Sequence, residues 1–180
     1  MGEERVLQNH IIQYVPEYSV CTGCHSCEIV CSLIHDKTAG PGHGRIQCEF
    51  GKVNQMLHTV HACQQCEDHP CYEACPKKDK AMRLHDNGVV YVVEEECIGC
   101  GLCQKACVFE PSRIAMSVKK DPETGKKSRK AKKCDLCYGR EEGPACIQFC
   151  PVRCLGLSED PLPEIKTEFA QASATDGVTR

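Results

Sequence analysis

The sequence predicts an α+β chain of short helices and small β-hairpins around little conventional core. Three observations point there. Eighteen of the 180 residues are cysteine, a density otherwise met in disulfide scaffolds and metal-rich proteins. Ordinary core formers are scarce: there is no Trp, four Phe and five Tyr, and the 41% hydrophobic share counts the cysteines. A chain of this length normally buries about two-thirds of its surface around aliphatic and aromatic side chains. Something held by the cysteines must stand in for that core, which excludes an ordinary Rossmann or barrel enzyme. Finally, short β-branched runs follow turn signals, with few long periodic segments between them.

Taken in chain order, the first element is a helix. Ile29, Val30, Leu33 and Ile34 recur at helical spacing after Cys27, so a short helix carries Cys31 away from its neighbours. The stretch Gly40-Pro41-Gly42-His43-Gly44 reads as a flexible loop. Residues 81–85, then Asp86-Asn87-Gly88, then residues 89–93 read as a hairpin, because Asn-Gly before a β-branched run is a strong turn signal. A second hairpin is expected from residues 114–118, the turn signal of residues 121–125, and a basic strand running into Cys134. Residues 158–180 are rich in Pro, Glu, Ser, Thr and Ala and read as a polar tail or partner-binding arm.

The cysteines fall into four motifs. They are Cys21-x2-Cys24-x2-Cys27-x3-Cys31, Cys63-x2-Cys66-x4-Cys71-x3-Cys75, Cys97-x2-Cys100-x2-Cys103-x3-Cys107 and Cys134-x2-Cys137-x8-Cys146-x3-Cys150. Cys48 and Cys154 are left over. The N-terminus has no basic start followed by an apolar stretch, so no secretory signal is expected. The longest apolar run, residues 89–93, is far short of a membrane span. A cytoplasmic location follows, where cysteines serve as metal ligands rather than disulfides.

Spacing selects the metal. Structural zinc sites pair two knuckles across a longer loop around one ion. Three cysteines within seven residues crowd a single ion and suit a cube whose corners each take one thiolate. The fourth, three residues on, is turned away and placed to ligate a different cube, as in the two-cluster bacterial ferredoxin run. Iron–sulfur clusters of the [4Fe–4S] type are therefore expected. Zinc in an interaction module and a cluster-delivery scaffold stand as rival classes.

The four motifs, the second widened to x4 and the fourth to x8, resemble the four-cluster iron–sulfur subunits of the dimethyl sulfoxide reductase and formate-hydrogenlyase type. Cys97-Ile98-Gly99-Cys100-Gly101-Leu102-Cys103 and Cys134-Asp135-Leu136-Cys137 carry that likeness. It implies a doubled bacterial-ferredoxin fold with four [4Fe–4S] clusters and cross-ligation. Cys21, Cys24 and Cys27 would share a cluster with Cys150. Cys134, Cys137 and Cys146 would share one with Cys31. Cys63, Cys66 and Cys71 would pair with Cys107, and Cys97, Cys100 and Cys103 with Cys75. One two-cluster unit, residues 53–118, is then nested inside another, residues 1–52 plus 119–157. Pro follows the fourth cysteine only at Pro76 and Pro151; Ser32 and Val108 stand in the other places.

Four oxidised cubanes add about −8 to the formal charge, which is −3 from side chains. That gives a reason for the basic residues Lys119, Lys120, Lys126, Lys127, Arg129, Lys130, Lys132 and Lys133, read as a solvated hairpin balancing cluster charge. Docking to an acidic redox partner is the functional alternative. Nucleic acid is not expected, since no aromatic residue interleaves the run. His25 and His69 read as surface or backbone-bonded. Cys48 reads as a small buried residue, and Cys154 as a possible alternative ligand that Pro151 disfavours against Cys150.

No G-x-G-x-x-G, P-loop or H-E-x-x-H motif is present. Closed redox centres without a substrate site make a wire, not a catalyst: the chain is expected to relay single electrons. Residues 21–33 are similar to the small electron-transfer subunits of tungsten aldehyde oxidoreductases. That likeness implies a tungsten or molybdenum pterin catalytic subunit as partner. A hydrogenase, formate dehydrogenase or carbon monoxide dehydrogenase is the alternative. A flavin subunit or ferredoxin would be the second redox partner, and further copies of the chain a third.

Overall fold

Every strand in the structure belongs to a two-stranded antiparallel ribbon, and the ribbons are set around short helices. This computed structural model describes residues 8–15, 20–40, 43–51, 58–120, 125 and 127–162. Pro41 and Gly42 of the glycine-rich loop, turn residues 121–124 and tail residues 163–180 lie outside the described residues.

Strand β1 (Ile11–Gln13) pairs with β8 (Leu155–Leu157), Ile11 opposite Leu157. Ile11 and Leu155 are buried, and beyond the ribbon Ser158 N donates to His10 O at 2.8 Å. This long-range pairing carries no sequence pattern, because each partner is three residues long. Helix α1 (Ser26–Asp36) follows. Its inner face is Cys27, Glu28, Cys31 and Ser32, whereas Ile29 and Leu33 are exposed. The helix was expected, but sulfur rather than the aliphatic stripe takes the core side. Burial of Glu28 and Ser32 is made tolerable by hydrogen bonds: Glu28 Oε1 accepts from Cys48 N at 2.6 Å and Ser32 Oγ donates to Ile29 O at 2.9 Å. Left-handed Lys37 ends the helix, its N–H bonded to Leu33 O at 3.1 Å.

Strands β2 (Gln47–Glu49) and β3 (Thr59–His61) form an unpredicted ribbon. Gln13 straps it to β1, donating to His58 O at 2.8 Å and accepting from Val60 N at 2.7 Å. Helix α2 (Pro70–Glu73) is a single turn opened by proline. The first predicted hairpin is β4 (Met82–Leu84) with β5 (Val90–Val92). Its connection is longer than a two-residue turn: Gly88 takes φ +81°, and His85 N donates to Val89 O at 2.9 Å. Helix α3 (Leu102–Lys105) leads to the second predicted hairpin, β6 (Ile114–Lys120) with β7 (Lys127–Lys133). Helix α4 (Ala145–Gln148) precedes β8.

Helix α1 packs on α4, and α2 on α3. Two cores result. The larger has thirteen buried residues, of which nine are cysteines, with Ile11, Ile46, Ala62 and Leu155 around them. The smaller joins Cys71 and Cys103 to Met82, Val90, Ile114 and Ala131. Sulfur thus replaces aliphatic packing, as the composition requires. One expectation is corrected here. The basic strand is not solvated throughout: Lys127, Ser128 and Arg129 are exposed, but Lys132 and Lys133 are buried, because the end of β7 enters the core beside Cys134.

Candidate metal centre

Each cysteine motif begins as a loop and ends on a helical turn. The third cysteines, Cys27, Cys71, Cys103 and Cys146, all lie on the four helices. The second spacer residue of the first Cys-x-x-Cys in each motif is left-handed: Gly23 (φ +66°), Gln65 (+45°), Gly99 (+71°) and Leu136 (+57°). Three helices are also capped by left-handed residues, His25, His69 and Gly101. Left-handed turns gather backbone N–H groups into concavities that hold anions, including iron–sulfur groups. Non-glycine residues accept this conformation rarely, so Gln65, Leu136, His25 and His69 were invisible to residue-by-residue reading. Aligning the four motifs on their cysteines, which sets Gln65 and Leu136 against Gly23 and Gly99, was the available signal.

The loops line cavities. One is lined by Cys63, Cys66, Cys71 and Cys107, together with Arg113 and Lys133. A second is lined by Cys75, Cys97, Cys100 and Cys103. A third is lined by Cys21, Cys24, Cys27 and Cys150, with Cys48 and Cys154 also in its wall. The remaining motif cysteines, Cys31, Cys134, Cys137 and Cys146, neighbour one another. Burial pushes the Cys134 thiol well up, and the charges of Cys146, Cys63 and Cys31 act in the same sense. Burial likewise raises Cys146, with Cys31 and Cys137 adding.

Elsewhere burial pushes Cys27 and Cys71 up to about 12 and Cys103 up to about 11. Crowded buried thiols do not ionise unless a cation compensates them, and a coordinated metal does this outright. Backbone amides already point at sulfur: Arg45 N to Cys31 Sγ (3.2 Å), Arg113 N to Cys107 Sγ (3.3 Å), Ala131 N to Cys97 Sγ (3.4 Å) and Cys154 N to Cys150 Sγ (3.4 Å). Arg113 Nε and Nη1 are buried without a hydrogen-bond partner among the described residues. Thiolates, inward amides and unpartnered cationic nitrogens fit an anionic metal–sulfide group.

Supporting residues also have places. His69 Nε2 bonds to Gly88 O at 2.9 Å, a backbone-bonded histidine as expected. His25 lies 3.3 Å from Glu28 and is only partly exposed. Cys48 is buried, and Cys154 Sγ sits 3.5 Å from Cys150 Sγ. Sequence reasoning missed His35, whose Nε2 is 3.5 Å from both Cys137 Sγ and Asp135 Oδ1. Burial lowers the His35 pKa. All 18 cysteines are free of disulfides. Among the described residues no helix is long and apolar enough to cross a membrane.

A small chain whose core is cysteine-lined cavities with inward amides is an iron–sulfur protein. It belongs to the 4Fe-4S dicluster domain family, whose model matches residues 54–160; the first motif lies before that match. The chain is similar to the electron transport protein HydN of Escherichia coli (strain K12), with 32% identity over 170 residues, 89% of this chain and 95% of HydN. It is also similar to the polyferredoxin-like subunit of aliphatic sulfonate oxidoreductase from Pyrococcus furiosus. There the identity is 37% over 131 residues, 72% of this chain and 66% of the relative. Against AegA of Escherichia coli (strain K12) the identity is 36% over 143 residues, 78% of this chain but only 21% of that longer protein.

Proposed function

We propose that this chain is the electron-transfer subunit of an oxidoreductase complex, carrying four [4Fe–4S] clusters and not catalytic alone. The observation that carries the reading is the make-up of the cavities. Three motif cysteines line each of the three together with one from a distant motif: Cys107 with Cys63, Cys66 and Cys71; Cys75 with Cys97, Cys100 and Cys103; Cys150 with Cys21, Cys24 and Cys27. Cys31 with Cys134, Cys137 and Cys146 completes the set. A bound cluster of this type supplies reversible one-electron uptake.

The protein's residues do the rest. Cysteines hold the groups, amides donating to sulfur stabilise added charge, and the buried surroundings keep solvent away. Sulfur neighbours suggest an order. The charge of Cys27 reaches Cys146, that of Cys63 reaches Cys134, and that of Cys103 reaches Cys71. The quartets then run Cys21, Cys31, Cys63 and Cys75 in line, each named by its first cysteine. The two exposed cysteines, Cys24 and Cys100, stand on the outermost quartets, where electrons would enter and leave. Packing of α1 on α4 and α2 on α3, with β1–β8 closing the ends, supports an outer unit (1–52 plus 119–157) around an inner one (53–118).

The partner favoured by the likeness of residues 21–33 is a tungsten or molybdenum pterin oxidoreductase, with a flavin subunit or ferredoxin at the other end. The names of the relatives, an electron transport protein and an oxidoreductase subunit, support a redox partnership of this kind. A reducing, cytoplasmic setting suits 18 free cysteines. Anaerobic reductive titration tests the reading: about four electrons per chain are expected, one for each cluster, and uptake of none would refute it.

A further inference from the structure

Lys133 ends β7 and is 3% exposed. Its Nζ donates to Gln65 Oε1 at 2.9 Å, Val90 O at 2.9 Å and Cys134 O at 3.2 Å. These three acceptors are neutral. The preceding lysine is treated differently: Lys132 Nζ pairs with the Asp36 carboxylate. A buried ammonium held only by neutral oxygens is costly, and a nearby fixed negative charge offsets the cost. Around Lys133 that charge comes from sulfur, that of Cys63, Cys71 and Cys134.

Arg113 faces the same cavity. Its N–H is bonded to Cys107 Sγ, and two of its guanidinium nitrogens have no hydrogen-bond partner among the described residues. Both cations therefore line the cavity of Cys63, Cys66, Cys71 and Cys107. The cations at the other quartets already stand beside carboxylates: Lys77 is 3.5 Å from Glu96, His25 is 3.3 Å from Glu28, and Arg45, whose N–H is bonded to Cys31 Sγ, is 3.2 Å from Glu94.

We propose that Lys133 and Arg113 make the group held by Cys63, Cys66, Cys71 and Cys107 the most readily reduced in the chain. This rests on the relay reading above. A fixed positive charge favours the electron-rich state and raises the reduction potential, and burial limits its screening by water and salt. One electron arrives from the reducing partner, and no proton need accompany it, because both side chains carry their charge before and after.

The test is a potentiometric titration of the full loaded chain, reduced with dithionite and followed by electron paramagnetic resonance. Wild type is compared with Lys133→Met, Lys133→Gln, Lys133→Arg and Arg113→Met. Each neutral variant that retains wild-type iron should lower the highest potential by at least tenfold in the reduction equilibrium, about 59 mV for one electron. Lys133→Arg should stay within that margin. Neutral variants with full iron and an unchanged highest potential overturn the proposal. If the neutral Lys133 variants lose iron while Lys133→Arg keeps it, the charge requirement stands. If Lys133→Arg loses iron as well, the site needs the shape of the lysine and the proposal falls. The iron count of the wild-type chain judges the relay reading separately.

Discussion

Replacing Asp36 with leucine should destabilise the loaded protein by about 3–5 kcal/mol, the cost of breaking a buried ion pair from one side. Asp36 closes α1 with its side chain 7% exposed, and Lys132, its partner, is 5% exposed. Without the carboxylate, Lys132 Nζ keeps a contact at 3.4 Å to His43 O. Arg45 also loses its 3.7 Å contact with Asp36 but keeps Glu94 at 3.2 Å, so only Lys132 is left without a carboxylate. The pair also joins α1, which carries Cys31, to β7, which runs into Cys134, so its loss separates two members of one quartet. Removing both charges in Asp36→Leu with Lys132→Met should recover most of the stability, because no buried charge is stranded. The assay is loss of visible cluster absorbance in urea, compared as rates because metal loss makes unfolding irreversible. Expressed wholly in unfolding, the single variant should lose absorbance about 10²- to 5 × 10³-fold faster. Single variants within about 1 kcal/mol of wild type, as for an exposed pair, would refute this. So would a double variant no better than Asp36→Leu.

Three further outcomes follow from the same geometry. Cys107→Ser should abolish the signal of the group lined by Cys63, Cys66 and Cys71, while Cys103→Ser should abolish a different one; electron paramagnetic resonance showing the same signal lost in both would contradict cross-ligation. Gly99→Ala should cost about four iron per chain, one cubane, because Gly99 has φ +71° and a Cβ there would overlap Arg129 O; an unchanged iron count would show the loop yields instead. Lys127→Glu with Arg129→Glu, both exposed, should slow reduction of an acidic ferredoxin about tenfold at low salt and little at high salt; stopped-flow rates insensitive to both changes would remove the hairpin from the docking surface.

Much of this architecture was legible because cysteine spacing is a rigid signal. The motifs located the loops, and Asn87-Gly88 and the β-branched run after it located the β4–β5 hairpin. What escaped was of two kinds. The β1–β8 and β2–β3 ribbons are three residues per strand, too short for a periodic pattern, and are set by contacts between distant segments. The periodicity of Ile29, Val30, Leu33 and Ile34 located α1 but did not show its inner face, which is Cys27, Glu28, Cys31 and Ser32. There sulfur and hydrogen bonds outrank aliphatic burial. Lys133 looked like one more lysine in a basic run, and only its place at the end of β7 distinguishes it from Lys127.

Iron, acid-labile sulfide and zinc per chain, measured on protein purified without oxygen, test the four-cluster relay most directly. Four cubanes require about 16 iron and 16 sulfide with negligible zinc. About four zinc with little iron would contradict an electron relay and leave a zinc-binding interaction module.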